Sequence, residues 1–394
     1  MKKLTIDDYK FSGKKVLMRA DFNVPLKDGV ITDDTRIDAT LPTIKKIIKD
    51  GGKLILMSHL GRPKGKVNPD MSLSVVAQKL SEKLAQDVTF VSESIGDAVG
   101  EVVEKMGDGD VVLLENLRFH PEEKKCDEDF SRKLASIAEV FVNDAFGTAH
   151  RAHASTVGVT KYLSPSLAGY LMQKEIEVMG ASLSNPEHPF VAVIGGAKVS
   201  SKIGVLENLI GVVDKIIVGG GMAFTFYRAL GYGIGRSIVE EDKIDLAKEI
   251  MDKAKKVGTE FLLPVDIVCS EELKEGVDFT IHKADSLPED LIGLDIGPDS
   301  EELFGESIKT AKLVVLNGPM GVFEVSPFHR GTENLGKIIS EIDGKTIVGG
   351  GDTIAAVAKF GLAEKMTHVS TGGGASLELM EGKKLPGIEA LTDK

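Results

Sequence analysis

The chain has 394 residues, 60 Asp and Glu against 48 Lys and Arg, and a formal net charge of −12. That length exceeds one ordinary hydrophobic core and fits two domains, while the acidic balance argues against nucleic acid or a membrane surface as partner. No apolar run reaches the roughly 20 residues that span a bilayer, and Cys126 and Cys269, far apart in sequence, lack metal-ligand spacing and read as reduced thiols.

In chain order, Met1-Lys2-Lys3 has no apolar stretch behind it, so no signal peptide is expected and a cytoplasmic protein with reduced thiols is. Short apolar runs then alternate with amphipathic stretches. Strands are expected near Val16–Ala20, Leu54–Met57, Val88–Val91, Val111–Leu114 and Val140–Val142, with helical patterns over Leu41–Lys49 and Leu73–Leu84. Leu167, Leu171, Ile176, Met179 and Leu183 recur at helical spacing before the stop signal Ser184-Asn185-Pro186, which suits a helix over 170–185 between two domains. Further strands follow near Val191–Ile194, Ile216–Val218, Phe261–Pro264, Val314–Leu316, Thr346–Val348 and His368–Val369, with helical stretches Ile244–Lys255 and Thr353–Lys359. This βαβ alternation predicts an α/β protein of two doubly wound, Rossmann-like parallel sheets, over 1–169 and 186–380, joined by an interdomain helix and hinge.

Ligands of such sheets bind beyond the carboxyl ends of the strands, and the two halves differ there. The first half ends its strands in charge. Asp21, Asn23 and Arg36 follow the first strand, His59 and Arg62 the second; Arg118 and Arg151 follow later ones. Guanidinium forks match phosphate and carboxylate oxygens, so several at equivalent strand ends point to a small anion. The second half ends its strands in glycine: Gly195-Gly196-Ala197-Lys198, Gly219-Gly220-Gly221, Asn317-Gly318-Pro319-Met320-Gly321, Gly349-Gly350-Gly351-Asp352-Thr353 and Gly372-Gly373-Gly374. Glycine lets backbone N–H groups approach a ligand, and a helix N-terminus beyond it favours phosphate. Neither a P-loop nor a complete G-x-G-x-x-G occurs, which ranks a dehydrogenase last. Asp352, opening a helix, reads either as an N-cap or as an oxygen ligand for a metal. His150 and His153 lack a third ligand, so zinc is rejected.

Taken together, RADFNVP (19–25), SHLGRPK (58–64), ENLRF (115–119), NDAFGTAHRAHAS (143–155), NGPMGVFE (317–324) and STGGGAS (370–376) resemble the phosphoglycerate kinase family in order and spacing. The resemblance implies reversible phosphoryl transfer between 1,3-bisphosphoglycerate plus ADP and 3-phosphoglycerate plus ATP, in glycolysis and gluconeogenesis, by a monomer. It implies that Asp21, Asn23, Arg36, His59, Arg62, Arg118 and Arg151 hold the phosphoglycerate. Lys198, Lys202, Gly220, Asn317, Glu324, Gly350, Gly351, Asp352 and Thr353 would line the nucleotide site, with Mg²⁺ on Asp352. Arg36 and Lys198, helped by N–H groups near Gly350, Gly351 and Gly373, would act on the transferred group. It also implies that residues 381–394 return to the N-terminal domain, and that the two domains close for transfer. The chain departs from the family at Ser201, where an acidic residue often precedes the second lysine. Two rivals remain open: a kinase for acetate or carbamate, and an inactive nucleotide-binding scaffold.

Overall fold

A computed structural model describes residues 2–394. The chain forms two compact units, Met1–Glu177 with Lys384–Lys394, and Val178–Lys383. The two parallel sheets expected from the alternating pattern are both present.

In the first unit the sheet runs Val88–Val91, Val111–Leu114, Lys53–Met57, Lys15–Arg19, Val140–Asn143, Ser166–Ala168, all parallel. Helices cover parallel sheets on both faces, so their strands are apolar throughout rather than alternating; Val111–Leu114 and Val140–Asn143 are buried at every residue. Helix Thr35–Lys49 places Ile37, Ile44 and Ile47 on one face against this core. The C-terminal segment adds to the same unit. Thr392 bridges Leu4 and Ser166 through backbone bonds of 2.8 and 2.9 Å, and Gly387 donates to Ala149 O at 2.8 Å.

In the second unit the order is Glu260–Leu262, Lys215–Val218, Phe190–Ile194, Leu313–Asn317, Lys345–Val348, His368–Val369. A three-stranded antiparallel sheet of Asp266–Ser270, Thr280–Lys283 and Ile292–Ile296 was not anticipated. One of its two edge strands, Thr280–Lys283, is mostly exposed and carries no apolar alternation.

The expected helix before Pro186 differs in detail. Leu167 lies on the edge strand Ser166–Ala168, and the helix begins only at Tyr170. It runs to Glu175, passes through a π turn at Ile176–Gly180 and ends in Ala181–Ser184, with the two units parting between Glu177 and Val178. Among the described residues no helix is long and apolar enough to cross a membrane.

Candidate functional site

The first site grows from strand Lys15–Arg19, which lies between Lys53–Met57 and Val140–Asn143, where the strand order reverses. Loops leaving adjacent strands diverge at such a point and open a crevice at the carboxyl edge. Arg36 Nη1 donates to Asp21 Oδ2 at 2.6 Å, and the Asn23 N–H donates to Asp21 Oδ1 at 3.2 Å. Asn23 Oδ1 accepts the Gly61 N–H at 2.8 Å, while Arg118 Nη1 donates to Gly61 O at 2.8 Å. Three loops are thereby tied into one surface. His59 and Arg118 are buried within it, Arg36 is half-buried, and Arg151 is exposed with its Nε 3.0 Å from His150 Nε2.

The charges of this surface act on each other. Burial first, then Arg19, Arg118, Arg36 and Arg151, hold the His59 imidazole well below its ordinary range. Burial and the same guanidiniums at positions 19, 118 and 151 lower His153 to about 3. Arg118 is lowered to about 10, by burial and then by Arg19 and Arg151. Guanidiniums at positions 19, 36, 118 and 151 outnumber the carboxylates Asp21 and Glu123 that face them, and such an excess favours a ligand that brings several negative charges. Arg62 is exposed on the loop after Gly61, and among the described contacts none joins it to this network.

Sequence reasoning missed the buried support of this surface. Arg19, 1% exposed, donates through Nε to Ser155 Oγ at 2.9 Å and through Nη2 to His59 Nδ1 at 2.9 Å. Ser155 donates to both oxygens of Glu123, from Oγ at 2.6 Å and from N at 3.0 Å. Glu123 sits in a Glu-Glu-Lys-Lys run that reads as a solvated helix face, which conceals a carboxylate only 1% exposed.

The second site lies at the corresponding reversal in the other sheet, where Phe190–Ile194 separates Lys215–Val218 from Leu313–Asn317. Here the glycines divide into two kinds. A Cβ on Gly195 would stand 2.1 Å from Pro319 O, and one on Gly318 would stand 2.0 Å from Gly195 O, so these residues let two loops pack backbone on backbone. Around Gly351 and Gly373 an added Cβ meets nothing within 4 Å, which leaves their backbone approachable. Gly350 adopts φ 90°, a conformation costly for residues with a Cβ, and is the N-cap of helix Gly351–Lys359. That removes the capping alternative for Asp352, which is exposed in the first turn and makes no cap bond. Thr353 is buried, and its Oγ1 accepts the Gly318 N–H at 2.6 Å, locking two of the glycine loops together.

Lys202 Nζ donates to Asn317 Oδ1. Because ammonium only donates, this bond orients the amide and leaves Asn317 Nδ2 as the free donor. Asn317 is fully buried, and its Nδ2 has no hydrogen-bond partner among the described residues. Burial lowers the Lys202 pKa, with Asp352 and Glu381 opposing. Lys198 is exposed on the loop after Ile194, and the Ser201 hydroxyl turns back to the Lys198 carbonyl at 2.8 Å. Beside these loops lies a mainly apolar cavity of about 440 Å³, whose wall includes Gly220, Phe224, Ile267 and Leu294, with Glu324 and Asp352 also lining it. Ile267 and Leu294 come from the unanticipated antiparallel sheet.

Comparison with known proteins agrees along the whole chain. A family profile described as phosphoglycerate kinase matches residues 6–383. A phosphoglycerate kinase of Thermosipho africanus is 56% identical, with 100% of this chain and 99% of the relative aligned. One from Chloroherpeton thalassium is 54% identical over the full length of both. The solved phosphoglycerate kinase of Coxiella burnetii superposes with a TM-score of 0.92 at 40% identity, and that of Pyrococcus horikoshii with 0.81 at 33%, each covering 98% of both chains. With the profile, the relatives and the solved folds in agreement, this chain belongs to the phosphoglycerate kinase family.

Proposed function

We propose that this chain moves a phosphoryl group reversibly between the acyl phosphate of 1,3-bisphosphoglycerate and ADP, yielding 3-phosphoglycerate and ATP. The observation that carries this reading is the guanidinium field centred on His59, to which Arg19, Arg36, Arg118 and Arg151 all contribute. A phosphorylated acid brings a remote phosphate as well as a reacting carboxylate, and so has charge enough for that field. Acetate or carbamate has none to spare.

In the ATP-consuming direction the nucleophile is the substrate carboxylate, ionised at neutral pH, so no general base is required. The protein aligns donor and acceptor and neutralises the transferring group. Asp21, Asn23, His59, Arg62, Arg118 and Arg151 hold the phosphoglycerate. Arg36, steered by its bond to Asp21, and the exposed Lys198 act on the transferred oxygens, together with N–H groups near Gly350, Gly351 and Gly373. The cavity takes the nucleoside, with Glu324 at the ribose; Lys202 and Asn317 face its phosphates. A phosphate oxygen would give the buried Asn317 Nδ2 the acceptor it lacks.

Asp352 would hold a magnesium ion that neutralises the nucleotide phosphates. Among the described residues no group of three or more His, Cys, Asp or Glu could hold a metal by itself. A single exposed carboxylate, Asp352, offers the hard oxygen donor that such an ion would take. We further place the enzyme in the cytoplasm as a monomer; Cys126 and Cys269 are both free, which fits a reducing compartment.

The test is a coupled assay with MgATP as donor and 3-phosphoglycerate, acetate or carbamate as acceptor. Turnover confined to 3-phosphoglycerate is expected. Comparable turnover with either small acid would defeat the assignment.

A further inference from the structure

The hydrogen bonds around Arg19 admit one consistent set of protons, and that set fixes the state of His59. A guanidinium donates and never accepts. Arg19 Nη2 lies 2.9 Å from His59 Nδ1, so Nδ1 accepts and the ring proton belongs on Nε2. On its other side Arg19 Nε gives its proton to Ser155 Oγ at 2.9 Å. The hydroxyl, having accepted, donates to Glu123 Oε1 at 2.6 Å, and the Ser155 N–H takes Oε2 at 3.0 Å. Arg19, Ser155, Glu123 and His59 are all buried. Burial works against the charge of the guanidinium, and Glu123, then Asp21, oppose that loss. A buried carboxylate is thus linked through a hydroxyl and a guanidinium to an imidazole at the ligand surface.

We propose that Arg19, anchored by Ser155 and Glu123, is a positioning residue that holds His59 as the neutral Nε2–H tautomer, so that His59 offers the phosphoglycerate a directed N–H donor and not a titrating cation. This rests on the reading of His59 as a substrate ligand. Protonating Nδ1 would turn two donors against each other and break the Arg19 bond. The charged groups facing the ring reinforce this: Arg19, Arg36, Arg118 and Arg151 oppose a further positive charge. Asp21 Oδ1, 3.9 Å from Nδ1, is the carboxylate nearest it, and it is already engaged with Arg36 through its other oxygen. His59 should therefore contribute no titration to phosphoglycerate affinity across about pH 5–8, the range in which an ordinary histidine changes charge.

The experiment is ¹⁵N NMR of the full chain with ring-labelled histidine. The His59 signals are identified among the 8 histidines by their loss in His59→Gln. The expected ring has a protonated Nε2 and an unprotonated Nδ1 throughout that pH range. An Nδ1–H ring, or a titration at the ordinary histidine value, overturns the proposal without any variant. Arg19→Met should release the ring, giving mixed tautomers and a returning titration. It should also raise KM for 3-phosphoglycerate about tenfold or more, as for a lost bond of a charged group, with KM for MgATP unmoved. Ser155→Ala keeps the guanidinium but removes its anchor; it should shift the ring signals in the same sense and raise KM by roughly threefold, which serves if Arg19→Met does not fold. A raised KM with an unchanged ring would mean that Arg19 acts on substrate directly, and would end the positioning role. A locked ring whose signals ignore added 3-phosphoglycerate would defeat the substrate reading itself.

Discussion

Asn317→Asp separates what the second site needs when empty from what it needs when occupied. In the wild type the amide oxygen accepts from Lys202 and the amide nitrogen is buried without a partner. A carboxylate of the same shape keeps an acceptor for Lys202, adds opposite charge beside it and removes the unpaired donor. The empty protein should then be as stable as the wild type or more so. MgATP binding should suffer, because one donor to a phosphate becomes an anion facing it. A hydrogen bond to a charged group contributes about 1.5–3 kcal/mol, so Kd should rise by roughly ten- to a hundredfold. At a concentration near 100 times the wild-type Kd, nucleotide stabilises by about 2.7 kcal/mol. By the same relation the variant retains only about 0.4–1.4 kcal/mol. A unit of this size moves by about 2–4 °C per kcal/mol. Thermal unfolding followed with and without MgATP should therefore show an unchanged or higher Tm for the empty variant and a clearly smaller nucleotide shift. A wild-type shift, or an empty variant several degrees less stable, would refute the assignment of Asn317 Nδ2 to a phosphate.

Arg36→Ala and Lys198→Ala should each cut kcat by roughly 10³–10⁵, the usual range for a cation acting on a transferring phosphoryl group, with circular dichroism unchanged; a loss below about tenfold would remove that residue from catalysis. Thr353→Val leaves the buried Gly318 N–H without its 2.6 Å acceptor and should cost about 1–3 kcal/mol of stability, whereas Thr353→Ser should stay near wild type in the same urea titration. Asp144 is buried and its carboxyl is raised from 3.8 to about 7, by burial above all. The folded state thus binds this proton more tightly than the unfolded one, so its contribution is present below about pH 4 and is lost as pH rises through about 7. Asp144→Asn should flatten that part of the stability profile, and an unaltered profile would assign the slope to other groups. Small-angle scattering with 3-phosphoglycerate, with nucleotide and with both should show the greatest compaction with both, because acceptor and donor are assigned to different units.

The strands were legible because buried parallel strands are written as unbroken apolar runs: Val88–Val91, Val111–Leu114 and His368–Val369 fall where the pattern put them, and the other anticipated strands shift by a residue or two. The antiparallel sheet was not, since only three residues separate Asp266–Ser270 from Glu260–Leu262, and Thr280–Lys283 is largely exposed. Its loss mattered, because that sheet supplies part of the cavity wall. At the candidate sites, the residues that stand at strand ends could be found by position. Glu123 and Ser155 could not, because Ser155 bonds Arg19 from 136 positions away and Glu123 joins only through Ser155. Leu167 failed for a different reason: one apolar residue satisfies a helical period and an edge strand equally well, and only the sheet register with Val142 decides.

The two sites also resolve how an acidic protein can gather anions. In the first, positive charge comes from guanidiniums and is held in place by carboxylates: Asp21 steers Arg36, and Glu123 offsets the buried Arg19. Each of those pairings lowers the net charge without freeing the arginine to turn, so the field is aimed before any ligand enters. In the second, much of the positive potential is backbone, since Gly351 opens a helix and Gly373 caps the next one, and an N-terminus carries partial positive charge without a cationic side chain. The formal charge of −12 counts side chains alone. It therefore misses the backbone contribution entirely and averages away the arginine cluster, which is why it argues against polyanions as partners yet sets no obstacle to two small ones.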